Sequence, residues 1–418
     1  VLRLVVLGVS AIACSDAPPA TSTANGTSTK GLQGASSSSS QSLSSSGAAS
    51  NPVTVRMTGN DGGSPATACS LAKALRGGSC HFLVGMGSDL NPSGNHSMDG
   101  AYTLGTTLDL HYVYLVDLPT MGGWPDWNSP SGDFVNIMTD AADAAGVTPM
   151  FTLYAMASEG DGNLGMLTDT SAMNLYWQGA KLLFQRLALY GKPAVVHLEP
   201  DFWGYAMQKT LDGTADVLVT EYATDCAGLP DNLIGMAGCL VRLARMYAPN
   251  ALIGFHASAW GGTQAQVIQF FQTIHADATD FIVTDVLDRD AGCYEAATDP
   301  VCMGKQSEAL YWDETNQTSP NFAEHLAWVT AVHQGLGNLP VVWWQLPFGV
   351  PSTTPGGTTG HYRDDRVHYF FSHVDEFVAA GGLGAVFGTG ASDQTDWTTD
   401  GDEFKNDVAA YFASPTPL

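Results

Sequence analysis

From about residue 80 onward, short apolar runs alternate with longer stretches of helical periodicity, and the alternation repeats eight times. No other feature narrows the fold so far, because strands and helices in strict alternation build parallel βαβ units. The runs fall at His81–Gly87, Leu108–Asp117, Thr148–Met156, a fourth beginning at Lys192, Ala251–Trp260, Asp280–Asp288, Leu339–Leu346 and Leu383–Gly388. Helices are expected over about 131–145, 171–190, 231–247, 263–276, 321–335, 366–380 and 402–413. Eight is the strand count that closes a barrel. The expected fold is therefore α/β, a (β/α)8 TIM-type barrel in one domain. An open doubly wound sheet is the alternative, but no GxGxxG follows the first run and no Walker motif is present. The first unit is irregular, with only roughly twenty residues between its two strands.

The barrel is expected over 56–418. Residues 1–14 carry one charge, Arg3, then an apolar run ending Ala11-Ile12-Ala13-Cys14, the pattern of a secretory signal. Cys14 after a small residue resembles a lipobox, with Ala11 where Leu is usual, and implies lipid attachment at Cys14. Residues 15–55 are rich in Ser, Thr, Ala and Gly, too polar to build a core, and read as a disordered tether. The expected location is export to a bacterial surface or beyond, as a monomer touching membrane only through the lipid. Six further cysteines fall in local pairs, which predicts Cys69–Cys80, Cys226–Cys239 and Cys293–Cys302 disulfides in an exported chain. The net charge of −25 opposes binding to nucleic acid or anionic membranes.

Barrel enzymes place their chemistry at the C-terminal strand ends. Those tips carry Asp89, Asp117, Tyr154, Glu159, Asp161, Glu199, Asp201, Trp203, His256, Ser258, Trp260, Asp285, Asp288, Arg289, Trp344, Gln345 and Asp393, whereas the opposite ends read mostly Pro, Ala, Thr and Leu. The fourth run is the richest: Lys192-Pro-Ala-Val-Val-His197-Leu-Glu199-Pro200-Asp201-Phe-Trp203-Gly204. If that strand continues, His197, Glu199 and Asp201 share one face. Two acids at a strand tip suit hydrolysis of a glycosidic bond, which needs a proton donor and a second carboxylate. The catalytic candidates are Glu199 and Asp201 with a partner from Asp285, Asp161 or Glu159. The substrate-binding candidates are Tyr154, His197, Trp203, His256, Trp260, Trp344 and Gln345, since aromatic faces stack on sugar rings. His197 and His256 lack HxH or HxxxH metal spacing, so neither a metal nor another cofactor is expected. No GxSxG elbow is present. The rivals are a non-catalytic carbohydrate-binding lipoprotein and a metal-dependent hydrolase using His197, His256 and Asp285.

Glu199-Pro200-Asp201 at a strand end, then Cys226, the turn Ala248-Pro249-Asn250 and the strand leading to His256-Ala-Ser-Ala-Trp260-Gly-Gly, resemble glycoside hydrolase family six. The likeness covers about 110 residues, from Thr148 to Gly262. It implies a polysaccharide substrate such as a β-glucan, and a general acid in the loop holding Glu159 and Asp161. The family's Asp-rich strand-three motif and its Gly-His-Ala-Gly-Trp run are not reproduced. Strand seven ends Trp343-Trp344-Gln345, so the common barrel pattern with a nucleophilic Glu there is absent.

Overall fold

The structure, a computed structural model, describes residues 66–87, 99–158, 160, 162–286, 319, 321–348, 366–388, 397–398 and 400–418. Cys14, the 15–55 tether, Asp89, Glu159, Asp161, Asp288, Arg289, Cys293, Cys302 and Asp393 lie outside these residues.

Eight parallel strands close into a barrel in chain order. They are β1 (Leu83–Gly87), β2 (Leu110–Val116), β3 (Thr148–Tyr154), β4 (Ala194–Leu198), β5 (Ala251–His256), β6 (Phe281–Thr284), β7 (Val341–Leu346) and β8 (Gly382–Phe387). β8 pairs back to β1, so no edge is left open. The expected (β/α)8 barrel is the observed fold. Around it lie α1 (Ala68–Leu75), α2 (Gly100–Thr103), α3 (Asp133–Ala145), α4 (Thr170–Tyr190), α5 (Phe202–Lys209), α6 (Leu233–Tyr247), α7 (Gln264–Thr273), α8 (Phe322–Gly335), α9 (Arg366–Ser372), α10 (Val374–Ala379) and α11 (Glu403–Ala413).

Local chemistry sets these limits. Asp169 caps α4 by accepting the Ala172 N–H, and Gly191 closes it in the left-handed conformation. Capping boxes open α7 at Thr263/Gln266 and α8 at Asn321/Glu324. The fourth strand stops earlier than expected. Glu199 and Asp201 both take positive φ and flank Pro200, which has no N–H for a ladder. The chain turns there and enters α5 at Phe202.

Inside the barrel sit Leu83, Leu110, Tyr112, Met150, Val195, Leu252, Phe281, Val342, Trp344 and Leu383. Gly254 leaves room for one of them, because a Cβ there would meet the Phe281 ring at 2.4 Å. Outward strand residues pack under the helices in two shells, one on the β2–β5 side and one on the β7–β1 side. Cys69–Cys80 joins α1 to the segment before β1, and Cys226–Cys239 pins a loop to α6.

The N-terminal face is less bland than its sequence implies. Asp109 binds Arg76 at 3.2 Å, His81 at 3.0 Å and the Val84 N–H. Asp280 binds Arg245 at 2.9 Å and the Ile253 N–H. Both acids are consumed in bracing strand starts.

Candidate active site at the barrel mouth

Side chains alternate along a strand. On β2 this aims Tyr112 and Tyr114 inward, on β3 Thr152 and Tyr154, on β4 His197, and on β5 His256. Four tips and their continuations thus converge on the C-terminal mouth.

A polar chain crosses the mouth's floor. Thr152 Oγ1 lies 3.4 Å from His197 Nδ1, and His197 Nε2 lies 2.9 Å from His256 Nδ1. His256 Nε2 then faces Asp285 Oδ1 at 3.8 Å. The imidazoles stack with centroids 5.0 Å apart, and Trp344 meets both edge-on at 5.0 and 5.6 Å. Both rings are fully buried. Burial first, and the neighbouring His256 second, push the His197 pKa well below the ordinary imidazole value, so it stays neutral. Because the two rings share a nitrogen-to-nitrogen hydrogen bond, those nitrogens are turned toward each other. Among the described residues no group of three or more His, Cys, Asp or Glu is arranged to hold a metal.

Asp201 stands on the other flank. It precedes α5 without capping it, and its carboxylate accepts the Tyr154 hydroxyl at 3.0 Å. A small hollow opens there, lined by Tyr154, Asn163, Pro200, Asp201 and Tyr205. Tyr205 and Trp260, both half-buried, pack at 4.8 Å beside it. Between the flanks, Tyr114 contacts the rings of Tyr112, Tyr154 and Trp344, and the Gln345 amide donates to its hydroxyl. Gln345 is the extra residue of a bulge in β7, which re-aims its side chain. Asp117, half-buried at the β2 tip, has its carboxyl pushed above the usual range by burial.

Two sequence expectations change. Glu199 does not share a face with His197, because the strand ends before it. Its carboxyl is fully buried and turns toward α4, accepting the Met156 N–H at 2.9 Å near the Tyr176 hydroxyl. Burial raises its pKa to about 8, against the lowering pull of Met156, Tyr176 and Ala155. Trp203 is also fully buried, within α5. It packs on Phe255 at 4.7 Å and donates to the Leu198 carbonyl, so no face remains for a sugar ring.

The alternation of β2 and β3 carried an overlooked signal. Tyr114 and Thr152 stand at inward positions two residues beyond the apolar-facing Tyr112 and Met150, and both join the mouth. Among the described residues, four tip positions that are not glycine have positive φ: Asp117 at 61°, Glu199 at 54°, Asp201 at 61° and Gln345 at 57°. Such backbone costs of order 1–3 kcal/mol each and gathers at functional sites.

The fold and rim define a (β/α)8 barrel with a polar and aromatic C-terminal mouth. No protein-family model matches the chain. No curated protein sequence matches it either. Among solved structures it is similar to GH26C from Muricauda sp. MAR_2010_75, at 12% identity and TM-score 0.45, over 84% of this chain and 90% of that one. It is also similar to D-allulose 3-epimerase from Methylomonas sp., at 12% and 0.40, over 80% and 98%. The endoglucanase Cel6 from Mycobacterium tuberculosis aligns at 14% and 0.32, over 62% and 72%. At such identities the common feature is the barrel itself, and the family-six resemblance has no support at the sequence level.

Proposed function

We propose that this chain is an exported glycoside hydrolase that cleaves O-glycosidic bonds of a neutral polysaccharide by carboxylate acid–base catalysis. The observation that carries this reading is the pair Asp201 and Asp285. They rise from the tips of β4 and β6 into one mouth, over the aromatic side chains of Tyr114, Tyr154 and Trp344. Asp201 accepts the Tyr154 hydroxyl at 3.0 Å, and Asp285 faces the His256 imidazole at 3.8 Å.

The separation of the two carboxyls sets the stereochemical outcome, a wide gap admitting a water for inversion and a narrow one allowing direct attack with retention. Glu159 and Asp161 remain candidates for the same chemistry from the β3–α4 loop. Glu199 becomes a positioning residue that fixes the Ala155–Met156 turn beside Tyr154. Export is supported by the Cys69–Cys80 and Cys226–Cys239 bridges, since disulfides persist in oxidising compartments.

The test is release of reducing ends from a panel of neutral polysaccharides by the wild type, Asp201→Asn and Asp285→Asn. Loss of a general acid or base costs about 10²–10⁴-fold in rate. Hydrolysis by the wild type and such losses in both variants are expected. Activity unchanged in both, or absent from the wild type on every polymer, would remove the reading.

A further inference from the structure

Buried polar atoms nearly always find a hydrogen-bond partner, so a cluster that lacks one requires an explanation. Four such atoms belong to residues at the tips of the neighbouring strands β5, β6 and β7: His256 Nε2, Ser258 Oγ, Asp285 Oδ1 and Trp344 Nε1, with the first and third 3.8 Å apart and the His256 and Trp344 rings at 5.6 Å. Each has no hydrogen-bond partner among the described residues. His256, Ser258 and Trp344 are at most 3% exposed; the Asp285 side chain is 19% exposed, with its Oδ1 buried.

We infer that these four atoms form a subsite for two adjacent hydroxyl groups of a neutral sugar ring. The inference rests on reading the mouth as a carbohydrate site, though not on hydrolysis. His256 is poised for it by the chain behind. Its Nδ1 is engaged by His197, whose other nitrogen meets Thr152, so Nε2 is the atom left facing Asp285. The two atoms stand 3.8 Å apart, too far for a direct hydrogen bond, and a hydroxyl oxygen ~2.8 Å from each would bridge them once the overlying side chains part. It accepts from the imidazole N–H and donates to the carboxylate. A neighbouring hydroxyl accepts from the Trp344 indole and exchanges with Ser258.

The donor set selects this ligand class. An anion would meet Asp285, and an ammonium would meet two N–H donors with no lone pair. A hydroxyl, donor and acceptor at once, satisfies all four atoms. The ring's apolar face has Tyr114, half-buried against Trp344, as its aromatic neighbour.

Isothermal titration of the full chain with cellotetraose, laminaritetraose and mannotetraose tests the subsite. At least one tetraose binds the wild type. Ser258→Ala weakens the tightest by roughly fivefold, the loss of one neutral hydrogen bond, and Asp285→Asn by tenfold or more. Circular dichroism melting checks that each variant is folded; should Asp285→Asn fail that check, Ser258→Ala decides alone. Failure of all three sugars to bind overturns the subsite, as does wild-type affinity in the folded variants. A crystal structure with a bound tetraose that leaves only water on the four atoms overturns it too. Variant-sensitive binding without released reducing ends keeps the subsite and removes the hydrolase reading. Hydrolysis with variant-insensitive affinity does the reverse.

Discussion

Replacing Glu199 by Gln changes how stability depends on pH, and the structure sets both sign and size. The folded-state pKa of about 8 lies above the ordinary value of 4.5, because burial penalises the charged form. The folded chain therefore holds a proton that the unfolded chain releases. Stability from this group is complete below about pH 4.5 and falls as pH rises toward 8. The slope is about 1.4 kcal/mol per pH unit and eases near pH 8, so the loss reaches roughly 3 kcal/mol by pH 7 and roughly 4 by pH 8. Gln keeps an oxygen to accept the Met156 N–H and cannot ionise. Urea midpoints measured for wild type and Glu199→Gln from pH 4 to 9 isolate this residue, since other titrations cancel in the difference. The two proteins are expected to be nearly equal at pH 4, with the variant increasingly the more stable above pH 5. Parallel curves, with a difference independent of pH, would refute the claim that the buried carboxyl is protonated in the folded state.

Three other outcomes follow from the same geometry. Trp203→Ala empties a fully buried site and costs about 3–5 kcal/mol in denaturant midpoint, where a rim tryptophan would cost little stability. Tyr154→Phe removes the hydroxyl that orients the Asp201 carboxylate, so turnover on any hydrolysed polymer falls roughly fivefold while fold stability, read by melting, shifts by only about 1 kcal/mol. Arg245→Met strands Asp280 on the N-terminal face and costs about 3 kcal/mol, with KM on any hydrolysed polymer unchanged.

Much of the architecture was legible because the barrel repeats one simple pattern. β5, β7 and β8 read as short apolar runs with clear breaks, and the strand starts fell within two residues of those observed. The tips were harder. Lys192–Gly204 reads as an apolar run ending in two acids, with His197, Glu199 and Asp201 on one face only if the strand continues, and positive φ at Glu199 and Asp201 divides the stretch into β4, a turn and α5. Nothing local announces that turn except Pro200. A helix then carries Trp203 into the core, although tryptophans at rim and core look alike in sequence. Asp201 and Glu199 sit two residues apart but point into different environments, one against a phenol and hollow, the other against α4. The floor chain of Thr152, His197, His256 and Asp285 was only half visible, because Thr152 is an unremarkable strand residue until the register with His197 is known. Asp109 and Asp280 show the converse: acids at strand starts are tied to guanidinium groups, an arrangement set by tertiary contact.

The positive-φ tip residues bear on any attempt to engineer this barrel. Glycine would occupy Asp117, Asp201 and Gln345 without steric conflict, so selection for heat resistance alone would favour replacing them. The resulting protein would be tougher and its rim stripped of two acids and an amide. Positions where a glycine gain in melting temperature coincides with lost turnover would therefore trace the working rim without any knowledge of the substrate.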